Sequence, residues 1–356
     1  MTALEPSLVF TVAIALLLPL AVAGFVALLV RRERRAERTG ERLRAGQLFG
    51  LLAGTVSGRV AGRELQRAAK HSGPESFWDA LEAIITTLRM RERLRLARSL
   101  AKSRHLARER RVLSSDEPAS RRELAARRLG LLPGERSRRA LRRALVRGPE
   151  PVRLAAARAL ARHRDLGTLR WLIAHPDSLA SRPLSALAGL LRGFGPGARA
   201  LMIAALEHGL ADTRLECACM EALGLARCRS ARGSITARLA SRQLELRVTA
   251  ARSLGRLGMG EAIPALTMAL EDESWPVRAM AAQALGRLSA SPAIDALVRC
   301  VTDRSWWVRH HAAYALAAIG GDGLVALGEL AARAEDRYAR EMAIEALEFG
   351  VGMRRE

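Results

Sequence analysis

Apolar residues recur along this chain on two scales. In VRAMAAQALG (277–286), Val277, Met280, Ala281, Ala284 and Leu285 fall at i, i+3, i+4, i+7 and i+8, which draws one continuous stripe along an α-helix. A similar pattern stands 31 residues later as VRHHAAYALA (308–317) and 31 residues earlier as LRVTAARSLG (246–255). The leucine near its end marks a beat at Leu129, Leu160, Leu190, Leu223, Leu254, Leu285, Leu316 and Leu347, in steps of 31, 30, 33, 31, 31, 31 and 31. A period of this size predicts a solenoid of small supersecondary units. Shorter apolar runs between the copies, AIPALTMAL (262–270) and AIDALVRCV (293–301), supply an outer helix to each pair. Glycines such as Gly258, Gly260, Gly320 and Gly321 mark the breaks. A looser copy reaches back to ERLRLARSLA (92–101). The expected fold is all-α, with roughly eight to nine helical pairs over residues 74–350 and a short tail, 351–356.

Ahead of the repeats the pattern changes. Residues 7–30 hold 24 positions without a charge, about 36 Å of helix against a hydrocarbon core of roughly 30 Å. A signal peptide wants a basic region before its apolar run, and no Lys or Arg precedes Arg31. The expectation is a single transmembrane anchor over residues 1–30. Arg31, Arg32, Arg34, Arg35 and Arg38 crowd its C-terminal flank, while Glu5 alone is charged on the other. The positive-inside rule then places the N-terminus outside and the solenoid in the cytoplasm, with these arginines against an anionic membrane surface.

Residues 31–73 are expected to form a basic juxtamembrane segment. Within it Gly46, Gly50, Gly54, Gly58 and Gly62 recur every fourth position. Glycine in a helix interior costs roughly 1 kcal/mol relative to alanine, so the run reads either as a close-contact stripe for a membrane-embedded partner helix or as a weak connector. Leu48, Phe49, Leu51 and Leu52 beside it are apolar enough to lie in a membrane interface.

Composition adds the location of charge. The net charge is +22. Residues 31–148 hold 31 basic and 13 acidic side chains, against 27 and 22 from residue 149 onward, so the basicity belongs to the N-terminal half. Four cysteines are too sparse for a disulfide framework and read as reduced core residues.

An acidic residue, a short turn and then V-R-x-x-A-A-x-A-L-G, carried best by Asp272 with Val277–Arg278 and by Asp303 with Val308–Arg309, resembles the HEAT-like repeats of the phycobilisome-lyase type. The resemblance covers roughly residues 74–350 and weakens towards the N-terminus, where Arg182–Pro183 and Leu215–Glu216 replace the Val-Arg pair. It implies an Asp–Arg ladder between repeats, which makes Arg247, Arg278, Arg309 and Arg340 structural, and it implies an interaction scaffold. The enzymes of this kind fit poorly. Deoxyhypusine hydroxylases need His-Glu pairs, and no His here is followed by Glu. Bilin lyases are soluble, and the DNA glycosylases need aromatics in a basic groove.

No catalytic, cofactor or metal motif emerges. His163-Arg164-Asp165-Leu166 spells a kinase catalytic-loop string without the asparagine or glycine-rich loop that should accompany it. His310 and His311 are adjacent on one helix, so their rings diverge by about 100°. A stronger signal is aromatic. Trp275 and Trp306 lie 31 apart, and Trp307 and Tyr338 share a second register on the same turns. Stacked repeats would align these four rings on one edge as partner-binding anchors. The expectation is therefore a membrane-anchored cytoplasmic scaffold that binds a membrane-associated protein and supports a membrane-bound envelope complex, and is not an enzyme. A nucleic-acid binder using the arginines of residues 89–147 and a lyase-type enzyme are the alternatives.

Overall fold

The computed structural model describes residues 45–179 and 182–352, with side chains to residue 349, and every regular element among them is helical. The expected anchor (1–30) and the arginines from Arg31 to Arg38 lie outside the described residues. Among the described residues, no helix is long and apolar enough to cross a membrane.

A helix over residues 45–57 (α1) opens the chain. There follow α2 (Gly62–His71), α3 (Pro74–Ile85), α4 (Met90–Leu100), α5 (Arg104–Leu113), α6 (Ala119–Leu129) and α7 (Glu135–Arg147). Next come α8 (Glu150–Arg162), α9 (Leu166–Ala174), α10 (Leu184–Gly193), α11 (Arg199–His208), α12 (Thr213–Leu225), α13 (Arg232–Thr236) and α14 (Leu244–Leu257). The last are α15 (Ile263–Met268), α16 (Trp275–Arg287), α17 (Ile294–Cys300), α18 (Trp306–Ile319), α19 (Asp322–Arg333) and α20 (Arg337–Gly352). The chain divides into two compact units, Met1–Ala140 and Leu141–Glu356.

In the first unit, α2 packs on α4, and the Gln66 amide donates to the Ser99 carbonyl at 2.7 Å. The helical stack therefore begins before residue 74. Its core holds Phe77 and Trp78 edge-to-face at 5.0 Å and the buried His105 stacked on Phe77 at 4.3 Å. Arg128 lies over the Trp78 ring at 5.2 Å and pairs with the buried Glu109 at 3.2 Å. Leu48 and Leu52 are buried in the protein, not laid into a membrane interface, because α1 folds back and the Val56 carbonyl accepts from Arg95 at 2.5 Å.

In the second unit the helices α8, α10, α12, α14, α16, α18 and α20 pack each on the next and form the inner row. The beat leucines Leu160, Leu223, Leu254, Leu285 and Leu316 are buried on it. The six inner helices from α8 to α18 close on a positive-φ residue at steps of 31 or 32: Arg164, Gly195, Arg227, Gly258, Ser289 and Gly320. The carbonyls of Leu160, Leu223 and Leu285 accept the N–H five residues on, from Asp165, Cys228 and Ala290, which is the bond that satisfies an orphan helix-end carbonyl.

Close stacking needs small residues. A Cβ on Gly255 would lie 2.8 Å from Ala284 Cα, and one on Gly286 would lie 2.8 Å from Ala315 Cα. The Asp–Arg ladder is present in two rungs. Arg247 grips Asp272 at 2.9 and 3.1 Å, and Arg278 grips Asp303 at 2.8 and 2.9 Å. Burial pushes the Asp303 carboxyl up, yet the Arg278 and Ser305 hydrogen bonds and the charges of Arg278 and Arg309 outweigh it and hold the group below the usual carboxylate range. Arg309 has no such rung, since Ala334 occupies the acid's place. It donates instead to the Asp303 carbonyl at 2.9 Å and lies 5.4 Å over the Tyr338 ring. Arg340 is exposed. The four cysteines are free and buried. The kinase-like string is structural: Asp165 is buried, bonded by Arg142 at 2.8 and 2.6 Å and by Thr168 at 2.6 Å.

Candidate protein-binding face

The glycine run does not form one stripe. Gly46, Gly50 and Gly54 lie on α1 and Gly62 opens α2, but Gly58 sits in the turn between them at φ +82°, a conformation that frees the chain to reverse. A Cβ on Gly54 would strike Val60 at 2.4 Å, and one on Gly62 would lie 2.8 Å from Ser99 Oγ. Those two glycines serve packing inside this chain. Only Gly46 and Gly50 face open space.

The aromatic register lies where the inner helices begin. Trp275 is the first residue of α16, Trp306 and Trp307 open α18, and Tyr338 is second on α20. Their side chains are not wedges between repeats, for the residues are 46 %, 46 %, 51 % and 62 % exposed. Trp306 and Trp307 meet edge-to-face at 4.9 Å. Among the described residues no ring contact joins Trp275 to them.

The site is wider than its four sequence-marked residues. Positions four apart share a face of a helix, and Trp306, His310 and Tyr314 follow that spacing along α18. Trp306 stacks on His310 at 4.9 Å, His310 meets Tyr314 at 4.2 Å, and Tyr314 reaches Phe349 of α20 at 4.9 Å. Trp307 and His311 form a second pair at 6.4 Å. The Tyr314 hydroxyl donates to Glu345 at 3.0 Å. Half-exposed Phe349 completes a band of rings that runs from the start of α18 to the end of α20. The 31-residue register alone did not reveal it, because His310 and Tyr314 have Ala279 and Gln283 as their counterparts in α16; the i, i+4 spacing within one helix was the usable signal.

Two recesses lie on the inner row, the smaller of them beside the band. One, about 320 Å³, is lined by Gln283, Arg287, His310, His311 and Tyr314. The other is an open groove of about 640 Å³ between α10, α12 and α14, lined by Leu184, Arg214, Leu244, Glu245, Val248 and Arg252 among others. Burial lowers the His311 imidazole below its ordinary value, and the charges of His310 and Arg287 lower it further. Burial likewise lowers Arg287, with Arg256 and Arg252 adding repulsion. Among the described residues no group of His, Cys, Asp and Glu is placed to hold a metal ion. The arrangement offers aromatic faces, apolar recesses and positive charge, which suit recognition.

Among solved structures the chain is similar to the complex of CpcE and CpcF of phycocyanin lyase from Nostoc sp. PCC7120, at 19 % identity over 42 % of this chain and 98 % of that one, with a TM-score of 0.34. It is also similar to human deoxyhypusine hydroxylase in complex with glycerol, at 20 % identity over 72 % and 99 %, with a TM-score of 0.31. Importin beta aligns at 15 % identity over 85 % of this chain and 48 % of its own, with a TM-score of 0.47. No curated protein matches the chain. Residues 268–348 match the HEAT repeats family and residues 246–272 the PBS lyase HEAT-like repeat, so the C-terminal repeats of this chain are HEAT-like repeats.

Proposed function

We propose that this protein is an interaction scaffold whose C-terminal repeats bind a protein partner through the aromatic band. One observation carries the reading: Trp275, Trp306, Trp307 and Tyr338 stand at the same turn of successive repeats and are 46–62 % exposed. Rings that large are the common anchors of protein interfaces, and large exposed apolar groups grouped together mark interaction sites. The scaffold is held at a membrane by residues 7–30, a reading that rests on their uncharged run and on the arginines from Arg31 to Arg38. Confinement there raises its effective concentration for a membrane-associated partner.

The test compares partners co-purified from native membranes by the full chain and by Trp306→Ala/Trp307→Ala. A discrete set of proteins is expected to fall at least tenfold in the variant. An unchanged set would sink the aromatic-band reading. Extraction of the full chain from membranes at alkaline pH, compared with a chain lacking residues 1–30, tests the anchor separately. Release of both alike would remove it.

A further inference from the structure

The arginines of the C-terminal repeats fall into two groups. Arg238, Arg247, Arg256 and Arg278 are bound to Glu216, Asp272, Glu221 and Asp303. Arg252 and Arg287 have no such acid among the described residues. Both stand on the inner row, Arg252 at the wall of the larger groove and Arg287 at the wall of the smaller recess. Burial is the main cause that lowers the Arg287 guanidinium below its usual value, and the positive charges of Arg256 and Arg252 lower it further. A cluster of like charges beside apolar surface holds an unmet demand for negative charge.

We infer that this face binds an acidic, apolar segment of a partner protein, with a carboxylate placed between Arg252 and Arg287 and apolar side chains in the Leu184–Leu244–Val248 groove and against Tyr314. The inference rests on the scaffold reading and specifies the partner's chemistry. The two recesses lie two inner-helix steps apart, about 16–20 Å at the usual 8–10 Å helix spacing. Some five or six residues of extended chain span that distance. A carboxylate midway meets the arginines as charge-assisted, two-pronged hydrogen bonds, while the apolar ends displace water from the groove walls.

A single-stranded nucleic acid would also use arginines and rings. It fits less well, because Glu245 lines the larger groove itself and Glu341 and Glu345 are exposed on α20, and all three would repel a continuous polyanion. A peptide with one carboxylate at Arg252 and Arg287 and only apolar side chains beside Glu245 meets the arginines with less of that repulsion.

The experiment selects random 16-residue displayed peptides on the immobilised full chain, then measures the enriched peptides against Trp306→Ala, against Arg252→Gln/Arg287→Gln, and with oligo(U) as competitor. The expected outcome is enrichment of sequences pairing Asp or Glu with Leu, Phe or Trp. Their binding should weaken at least tenfold in the arginine variant and again between 50 and 500 mM salt, roughly as screening shortens the electrostatic range. Peptides lost with Trp306→Ala but indifferent to the arginine variant and without acid enrichment would overturn the acidic partner and leave the aromatic band standing. Peptides indifferent to all the variants, or none enriched, would overturn both. Displacement by oligo(U) at micromolar concentration would overturn it in favour of nucleic acid.

Discussion

At the scale of the residue, a glycine on an inner helix makes the opposite prediction from one on α1. Gly286 lies where a Cβ would press on the Ala315 backbone at 2.8 Å, whereas a Cβ on Gly50 meets nothing within 4 Å. Alanine improves helix propensity by roughly 1 kcal/mol at either site. Overpacking against backbone costs about 1–3 kcal/mol, so Gly286→Ala should lower stability and Gly50→Ala should raise it. Chemical denaturation reads both, and equal signs would defeat the contact argument. His105 makes a prediction with pH. Burial lowers its imidazole most, the Ala69 carbonyl opposes that, and the charges of Arg104 and Arg108 lower it further against a small pull from Glu109. The folded protein therefore binds this proton less readily than the unfolded chain, whose histidine titrates near 6.5. The stability so contributed is complete above about pH 6.5 and is lost as pH falls through the lower folded value. Melting temperature should drop from pH 7 to 5.5, and His105→Gln should flatten that slope.

At the scale of the element, the repeats are coupled by an Asp–Arg rung that fails once. Arg247 finds Asp272 and Arg278 finds Asp303, each 25 residues on, but Arg309 finds Ala334. The Arg309 Nε atom is buried without a hydrogen-bond partner. Ala334→Asp should supply the missing acid and stabilise the α18–α20 junction by about 1 kcal/mol, the scale of a partly buried, charge-assisted bond. A double-mutant cycle with Arg309→Gln isolates the rung, and a coupling indistinguishable from zero would mean that the Tyr338 ring already satisfies Arg309. This level was largely legible beforehand. The leucine beat located the inner helices, and Asp272 and Asp303 announced their rungs. The glycine run misled because a period of four ignores what lies between: Val60 and Ser99 fill the space at Gly54 and Gly62, and the turn at Gly58 reverses the chain. No period in the sequence records such a contact.

At the scale of the whole molecule, the proposed function assigns recognition to residues other than those that hold the stack, and that separation can be measured. Stacked repeats gain stability from each unit and from each neighbour interface, and those interfaces here are Gly255 on Ala284, Gly286 on Ala315, and the Asp–Arg rungs. Trp306 and Trp307 lie outside them, although the band's Tyr314–Phe349 contact crosses from α18 to α20. Trp275, Trp306, Trp307 and Tyr338 were visible in the sequence because they keep the 31-residue register, while His310, Tyr314 and Phe349 join the band only through the packing of α18 on α20. Since Trp306 and Trp307 are about half exposed, their removal forfeits mainly the contacts with each other and with His310 and His311, worth about 0.5–1.5 kcal/mol per aromatic pair. For a unit of this size 1 kcal/mol moves the midpoint by roughly 2–4 °C. The three pairs sum to about 1.5–4.5 kcal/mol, so Trp306→Ala/Trp307→Ala should melt roughly 3–18 °C below the parent and lose its partner even where it is folded, whereas Gly286→Ala should melt lower yet still bind at temperatures where it is folded. Calorimetry and co-purification on the same two proteins give the answer. If the tryptophan variant kept its partner at temperatures where both variants are folded, the surface for a partner would have to be sought elsewhere on the inner row.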